Sequence, residues 1–427
     1  MMVRWLYSLL FYLAMPLVCL RLLWRARRQP EYLQHLGERL GFYPPFAAGA
    51  PWIWLHAVSV GETRAAEPLV DALLAAYPSH RLLLTHMTPT GRAAAGELLR
   101  RHPQRLTQAY LPYDLPGACE RFADHFQPAI GLLMETEIWP NLIAAVARRQ
   151  RPLALVNARL SARSQRGYSR LRPLIEPALA GLAAVAAQSP ADAARLQEIG
   201  ASRVTVVGNL KFDVTPAPEK LALGGQWRQA IGARPVLLVA STRDGEETLL
   251  LDALDSLAIN DLLLVLVPRH PQRFDEVARL LATRRLEFCR RSGAAPPGPQ
   301  TRVWLGDSMG EMAAYYALAD LALIGGSWLP FGGQNLIEAA ACGCPVLMGP
   351  HMFNFEQASA DAVHTGAACR VDDASSAARL TEELLGGDQQ RLLAMRVAAK
   401  TFSQTHQGAT ARTVALIDGL MARPAAR

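Results

Sequence analysis

The sequence has little lysine, no paired-cysteine motif and none of the short motifs that mark several common nucleotide-binding enzymes. Only three of its 44 lysine and arginine residues are lysines, and the formal net charge is +7. The arginine surplus indicates either a general preference for arginine or a surface that attracts anionic membranes or phosphorylated ligands. The six cysteines are scattered without a CxxC pair, which favours buried free thiols in a reducing compartment. GxGxxG and P-loop patterns are absent, so NAD and ATP motifs do not fit.

Length and composition predict a folded protein with more than one domain. The chain has 427 residues, of which 51% are hydrophobic and 19% are charged. It contains no long low-complexity run, so extensive disorder is not expected. A chain of this length exceeds one ordinary core, and two α/β domains are the natural expectation.

The first 28 residues predict a membrane anchor. Residues 5–20 are mostly apolar, with one proline, and four arginines follow while only Arg4 precedes them. No small-residue cleavage site follows the apolar core, which argues against a cleaved signal peptide. The arginine asymmetry predicts that the body stays in the cytoplasm, at the inner membrane. A short span, a tilted interfacial helix and an amphipathic helix packed on the body all remain open.

From residue 51 onward, short apolar runs alternate with helix-like stretches. Such alternation predicts parallel sheets with helices on both faces. The pattern breaks at residues 214–225, which contain two prolines and two glycines and are expected to form a linker. We therefore expect an N-terminal domain at 29–215 and a C-terminal domain at 216–427, both doubly wound and Rossmann-like, with a cleft between them. The expected strands are 52–55, 81–85, 129–134, 153–156, 183–187, 204–207, 236–240, 262–267, 303–305, 321–324 and 346–348.

Candidate functional residues of the first half follow the ends of apolar strands, where doubly wound sheets bind ligands. Glu62 lies near the start of a helix, and a carboxylate there can also be a simple helix-terminus charge. Glu135 and Glu137 follow a buried strand and are either solvated loop residues or carboxylates of the site. Lys211 precedes the linker. Three arginines after the next strand, at an acceptor site or on a plain basic helix, are Arg159, Arg163 and Arg166.

The second half carries a glycine-rich segment, GGSWLPFGGQN, before a helix expected to start near Gln334. Backbone N–H groups in such a loop, with a helix dipole behind them, suit a phosphate. Asn335 and Glu338 are three residues apart and share one face of that helix, so Glu338 can accept hydrogen bonds from ribose hydroxyls. Other candidate residues after strands are Ser241, Thr242, Arg243, Arg269, His270, Gly310, Glu311 and Met312.

Six segments in consistent order resemble one known family. They are HAVSVGE, METEIWPNL, NARLSARS, GNLKFD, PRH and GGSWLPFGGQNLIEAAACGCPVLMGP. Together they resemble the Kdo (3-deoxy-D-manno-octulosonic acid) transferases of lipid A–core biosynthesis over residues 1 to about 420. The family more often has histidine at the position of Gln334, which is a local departure.

The resemblance implies a GT-B fold and an inverting transfer of Kdo from CMP-Kdo to a lipid A precursor (lipid IVA), with no metal, no cofactor and no nucleic-acid partner. It implies Glu62 as general base, with Glu135 and Lys211 stabilising the transition state. The stretches that match CMP-binding segments contain Arg269, His270, Gly310, Glu311, Met312, Asn335, Leu336, Ile337 and Glu338. The absence of a DxD-type motif agrees with cationic side chains acting where a metal acts elsewhere.

Two alternatives stay open at this stage. Another GT-B enzyme, using a UDP-sugar as a transferase or an epimerase, would have the same fold. A non-catalytic lipid carrier on this fold would bind lipid without releasing CMP.

Overall fold

The computed structural model describes residues 2–46, 49–255, 257–293 and 296–422. The chain forms two compact units. The first contains the residues up to Val214 and those from Gln407, and the second is Thr215–His406. The prediction that the second domain extends to residue 427 is therefore wrong for the last helix, which packs on the first unit.

Each unit contains one parallel sheet. The strands of the first unit are β1 (Trp52–His56), β2 (Arg81–His86), β3 (Leu106–Tyr110), β4 (Ile130–Met134), β5 (Leu153–Ala158), β6 (Ala184–Ala187) and β7 (Val204–Val206). Those of the second unit are β8 (Val236–Thr242), β9 (Leu263–Pro268), β10 (Phe288–Arg290), β11 (Val303–Leu305), β12 (Leu321–Ile324), β13 (Val346–Met348) and β14 (Ala368–Arg370).

The helices that connect these strands follow the expected alternation. They are α1 (Met2–Ala26), α2 (Val60–Ala76), α3 (Pro89–Ala94), α4 (Gly96–Arg101), α5 (Pro116–Phe126), α6 (Pro140–Arg148), α7 (Ala162–Arg170), α8 (Arg172–Ala180), α9 (Pro190–Glu198), α10 (Pro218–Ile231), α11 (Glu246–Leu254), α12 (Phe274–Thr283), α13 (Met312–Leu318), α14 (Leu336–Ala341), α15 (Glu356–His364), α16 (Ala374–Gly386), α17 (Gln389–Thr405) and α18 (Ala409–Met421). Short 3₁₀ helices lie at Pro30–Leu33, Glu38–Leu40, Leu210–Asp213, Pro271–Arg273 and Phe353–Phe355.

In each sheet there is one point where the order of the strands along the sheet reverses. The first sheet runs β3-β2-β1-β4-β5-β6-β7, and the second runs β10-β11-β9-β8-β12-β13-β14. The order therefore switches between β1 and β4 in the first unit and between β8 and β12 in the second. At such a point the loops after adjacent strands diverge and leave a crevice for ligands.

The strands read as continuous apolar runs because both sheet faces are covered. In β1, Trp52 and Trp54 pack in one buried cluster, whereas Ile53 and Leu55 pack in another. Successive strand side chains point to opposite faces, so these two clusters lie on the two sides of the sheet. This burial explains why the expected central strands coincide with observed ones.

The expected linker is shorter than predicted, because α10 begins at Pro218. Its glycines do not break the helix. A Cβ on Gly224 would come within 2.4 Å of the Ala314 carbonyl oxygen, so glycine here permits close packing of α10 on α13. Gly224, one of the residues that suggested a linker, is instead a helix residue that allows close packing.

The final helix is tied to the first unit by buried apolar side chains and a carboxylate. Ala409, Ile417 and Leu420 belong to the same buried cluster as β1 and α2. Asp213 accepts hydrogen bonds from the backbone N–H groups of Gly408 and Thr410 at the start of α18. A carboxylate satisfies the free N–H groups of a helix start and complements its dipole.

The N-terminal helix α1 is long and apolar enough to cross a membrane, judged by length and composition alone. It extends beyond the apolar run at both ends and contains Pro16. All six cysteines are free. Cys119 and Cys344 are buried as expected, but Cys19 on this helix is exposed, because the helix presents much of its surface outward.

Candidate active site

Glu62 lies at the switch point of the first sheet, in the first turn of α2. Ser59 caps this helix by accepting a hydrogen bond from the Glu62 backbone N–H. The Glu62 carboxylate reaches back and accepts from the Val58 N–H at 2.8 Å and from the Ser59 hydroxyl at 3.0 Å. This reciprocal arrangement is a variant of the capping box in which the Val58 N–H takes the place of the N-cap N–H, so the helix-terminus role foreseen for Glu62 is present.

The surroundings of Glu62 give it a second property that capping does not explain. Burial, followed by the charge of Glu135, raises the pKa of Glu62 from 4.5 to about 7, although the Val58 and Ser59 hydrogen bonds oppose the change. Glu137 adds a smaller repulsion. A carboxyl group with a pKa near neutrality can exchange a proton with a substrate hydroxyl at physiological pH.

Glu135 and Lys211 form an ion pair beside Glu62. The Lys211 Nζ lies 3.1 Å from the Glu135 Oε1, and each side chain is 17% exposed. Glu135 directly follows β4 and has a positive φ of +56°, a backbone conformation that few residues other than glycine adopt. The structure therefore places Glu62, Glu135 and Lys211 close together in the first unit.

Two asparagines hold the Lys211 segment in place. The Asn157 side-chain oxygen accepts from the Leu210 N–H at 3.0 Å, and that of Asn209 accepts from the Lys211 N–H at 3.0 Å. Asn157 is fully buried and has a φ of +50°. The sequence did not single out these asparagines as positioning groups, because their partners lie on another segment or in the backbone.

Glu137 is the second acidic side chain after β4. It accepts a hydrogen bond from the Trp139 indole N–H at 2.7 Å. The pKa of Glu137 is raised from 4.5 to about 6 by burial and, to a smaller extent, by the charge of Glu135. The hydrogen bond from the Trp139 indole opposes this change. This carboxylate is partly exposed and accepts a hydrogen bond from an indole, so it is not simply a solvated loop side chain.

The arginines after β5 separate into two environments. The Arg159 backbone N–H bonds to the Glu135 carbonyl at 3.4 Å, so Arg159 lies at the strand ends. Arg163 and Arg166 are exposed on α7, a helix without a buried residue. An exposed basic helix suits either water or an anionic surface.

In the second unit, Arg269 and His270 follow β9 beside other cationic side chains. Burial, then the charges of Arg243, Arg269 and Arg273, lower the pKa of His270. The Arg269 Nε donates to the Gln334 side-chain oxygen at 3.3 Å. This concentration of positive charge at the strand ends is suited to a phosphate.

The Gly310–Met312 stretch lies at the start of α13, close to the end of β8. Glu311 forms an ion pair with Arg291 at 3.0 Å and accepts from the Ser308 hydroxyl at 2.6 Å. The Ser241 hydroxyl lies 3.8 Å from the Met312 sulfur. Ser241 has a φ of +58°, so a side chain again occupies a left-handed position at a strand end.

Glu246 organises the glycine-rich loop and was missed by the sequence interpretation. This fully buried carboxylate accepts from the N–H groups of Arg243, Gly326, Trp328 and, more weakly, Leu329. Burial raises the pKa of Glu246 even though these backbone hydrogen bonds lower it. Glu246 thus fixes the loop after β12 to the start of α11 at the switch point of the second sheet.

The expectation that this loop cradles a phosphate through its N–H groups is wrong for most of them. The N–H groups of Gly326 and Trp328 are engaged by Glu246, and those of Gly333 and Gln334 bond to the carbonyls of Gly326 and Gly325. The loop closes on itself, so its donors are already satisfied. The neighbouring arginine side chains are the stronger candidates for a phosphate.

Helix α14 begins later than expected, at Leu336, with Asn335 as its capping residue. The Asn335 side-chain oxygen accepts from the Ile337 N–H at 3.1 Å. Leu336 and Ile337 are each 1% exposed, so their side chains are core residues and cannot line a nucleotide site. Glu338 is partly exposed in the first turn.

A metal centre is not evident in the described part of the chain. Within residues 2–46, 49–255, 257–293 and 296–422, no three His, Cys, Asp or Glu side chains are grouped to hold a metal ion. In the first unit the candidate residues include a carboxylate–lysine ion pair, and in the second unit they include a group of arginines around His270.

Comparison with known proteins gives consistent matches. The family model described as 3-Deoxy-D-manno-octulosonic-acid transferase (kdotransferase) matches residues 34–214. A 3-deoxy-D-manno-octulosonic acid transferase of Bordetella pertussis is 46% identical over 423 residues, covering 96% of this chain and 98% of the relative. One from Haemophilus influenzae is 36% identical over 402 residues, covering 91% and 92%.

Solved structures show the same fold at much lower sequence identity. A glycosyltransferase from Rickettsia africae superposes with a TM-score of 0.61 and 14% identity, covering 88% of this chain and all of that chain. This likeness, together with the two seven-stranded parallel sheets, confirms the predicted GT-B fold.

Proposed function

The chain belongs to the family of 3-deoxy-D-manno-octulosonic acid (Kdo) transferases, and from this membership we propose that it transfers Kdo from CMP-Kdo to a lipid A precursor and releases CMP. The observation that carries the proposal is Glu62, a carboxyl group at the switch point with a pKa raised to about 7. The acceptor is lipid IVA, and a Kdo–lipid bond forms as the bond between Kdo and the CMP phosphate breaks.

Glu62 acts as the general base in this mechanism. A sugar hydroxyl is a weak nucleophile, and its proton must leave as its oxygen attacks the anomeric carbon of Kdo. Glu62 takes that proton, which contributes roughly 10²–10⁴-fold to the rate. Because the hydroxyl attacks opposite the departing phosphate, the anomeric configuration inverts.

Glu135 and Lys211 stabilise the charge that develops during transfer. The anomeric carbon becomes more positive as the phosphate leaves, and a carboxylate such as Glu135 favours that state. Kdo also carries its own carboxylate, and the Lys211 ammonium can balance it. Their mutual 3.1 Å contact keeps both groups oriented before the substrate arrives.

Arginine side chains of the second unit hold the nucleotide. Arg243 and Arg269 bind the CMP phosphate as it gains charge, with His270 beside them, and Glu338 accepts hydrogen bonds from ribose hydroxyls. Ser241, Gly310, Glu311 and Met312 form the adjoining wall. These cations replace a metal ion, so the reaction requires none.

The enzyme works at the inner membrane with its body on the cytoplasmic side. The acceptor is a phosphorylated lipid, and α1 supplies an apolar helix with arginines at its C-terminal end. Apolar surface combined with nearby arginines favours an anionic leaflet.

The test is transfer from freshly generated CMP-Kdo to tetra-acylated lipid A precursor in detergent, read by mass spectrometry of the lipid. The expected product is heavier by one or more Kdo units. Glu62→Gln should reduce the rate by at least roughly 10²-fold, the general-base contribution. Glu97→Gln, which changes an exposed carboxylate of the same unit, should leave it unchanged.

Two results would contradict the proposal. Full transfer by a folded Glu62→Gln protein would remove Glu62 as the base. A lipid of unchanged mass, together with calorimetric preference for UDP over CMP, would indicate the alternative GT-B activity on a UDP-sugar.

A further inference from the structure

One face of α1 is less exposed than the other and faces the first unit. Partly buried side chains recur at spacings of three, four or seven residues, at Arg4, Tyr7, Phe11, Val18, Leu22 and Arg25. This spacing defines one stripe of an α-helix. The helix contacts α6, α8 and the 3₁₀ helix at Pro30–Leu33, so it lies along the first unit and does not project from it.

The contact includes buried polar groups near the N-terminal end of the helix. The Tyr7 hydroxyl donates to the Asp114 carboxylate at 3.0 Å, and the Ser8 hydroxyl lies 3.0 Å from the Asn141 side-chain nitrogen. Ser8 and Asn141 are each 4% exposed, and Asp114 is fully buried. Asp114 also accepts from the backbone N–H groups that begin α6.

These polar contacts are incompatible with α1 crossing a bilayer by itself. Crossing would pull Tyr7 and Ser8 away from the body and toward the hydrocarbon. Asp114 and Asn141 would then lose hydrogen-bond partners in a buried position, where an unsatisfied polar group is destabilising. The hydroxyls would meet a similar penalty in lipid.

The opposite face of α1 is apolar and open to its surroundings. Trp5, Leu9, Leu13, Leu17, Leu20 and Trp24 are each between 55% and 70% exposed. A helix that lies in the membrane interface buries the Trp and Leu side chains of one face at the boundary between headgroups and acyl chains. A helix of this length, about 37 Å at 1.5 Å per residue, presents that stripe over the full extent of the contact.

The positive charge of the N-terminal segment favours an anionic surface as the one that covers this face. Residues 2–28 contain five arginines and no acidic residue. Arg21, Arg27 and Arg28 are exposed at the C-terminal end of the helix and beyond it. Each such arginine strengthens binding to an anionic leaflet.

We infer that α1 lies in the plane of one leaflet of an anionic membrane, with its Trp–Leu face in the acyl boundary and both ends on the side of the catalytic body. The inference rests on the membrane acceptor proposed above and refines it, since a helix in this position holds the first unit against the surface that contains the lipid. Tyr7 and Ser8 fix the helix to that unit.

The experiment places a protease-cleavable epitope tag before Met2 of the full-length protein in inner-membrane vesicles of both orientations. An in-plane helix predicts that the tag is cleaved in inside-out vesicles, where the body is also accessible, and protected in right-side-out vesicles. Cleavage only in right-side-out vesicles would show a spanning helix and overturn the inference.

Kdo transfer measured in the same vesicles separates this inference from the proposed function. Active vesicles with the tag on the far side would refute the in-plane helix alone. Inactive vesicles with the tag on the near side would refute the activity and leave the in-plane helix standing.

Discussion

Replacing Glu62 with glutamine should stabilise the protein at alkaline pH while reducing the transfer rate by at least roughly 10²-fold. The folded state holds this carboxyl group where burial and the charge of Glu135 disfavour its ionised form. Glutamine has nearly the same shape and can still accept from the Val58 N–H and donate to the Ser59 hydroxyl. The substitution therefore removes the titration and retains the capping contacts.

The magnitude follows from the pKa of Glu62, which is 4.5 as a reference and about 7 in the fold. Because the folded value is the higher one, the protonated carboxyl contributes stability that is fully present below pH 4.5 and is lost as pH rises through about 7. At ~1.4 kcal/mol per pKa unit, the whole difference is worth roughly 3 kcal/mol. Between pH 5 and pH 8 the wild-type protein should lose roughly 2 kcal/mol relative to Glu62→Gln.

The assay is urea unfolding in detergent of the wild type, Glu62→Gln and Glu97→Gln, each at pH 5 and pH 8. Other titrating groups are common to all three proteins and cancel when differences are compared across pH. The stability advantage of Glu62→Gln should grow with pH, whereas Glu97→Gln should show no such trend. An equal advantage at both pH values would refute the raised pKa and, with it, the argument that Glu62 is poised as a base.

Three further predictions address the rest of the site. Wild-type kcat/KM should fall about tenfold per pH unit below pH 7 as Glu62 becomes protonated; a flat profile between pH 5 and 7 would contradict this. Lys211→Met should destabilise the first unit by roughly 2–3 kcal/mol, because it leaves Glu135 largely buried without its cation; thermal unfolding beside Lys220→Met as the control measures it. Glu246→Gln should raise the KM for CMP-Kdo more than it lowers kcat, because the NH₂ group of glutamine cannot accept hydrogen bonds from the loop N–H groups that donate to the carboxylate. Unchanged steady-state constants would show that the loop does not need this carboxylate.

The sequence predicted the central strands well and the edge strands poorly. β3, β10 and β14 were missed, and all three lie at the edge of a sheet. An edge strand has one neighbour and less burial, so its side chains need not be apolar: β3 contains Thr107 and Gln108, and β10 ends in Arg290. The fourth edge strand, β7, was predicted from its valines although most of it is exposed. Continuous hydrophobic runs identify the inner strands best, because both of their faces are buried.

The site residues on strand ends could be predicted, but the groups that position them could not. Glu135 follows β4 directly, Glu62 and Lys211 come a few residues after β1 and β7, and all three are visible as polar residues after apolar runs. Glu246 acts on Gly326, 80 residues away in the chain, and Asn157 acts on Leu210, 53 residues away. Such partners depend on the packing of separate segments, as does the pKa of Glu62. The glycine-rich loop was misinterpreted for the same reason.

Three strand ends carry a side chain where backbone geometry alone would favour glycine. Glu135, Asn157 and Ser241 have φ values of +56°, +50° and +58°. The left-handed conformation is unfavourable by roughly 1 kcal/mol or more for a residue with a Cβ. Glycine at any of the three would relieve that strain and would also delete the functional group. The fold thus retains three backbone conformations that lower its stability, and these conformations place the three polar side chains at the strand ends.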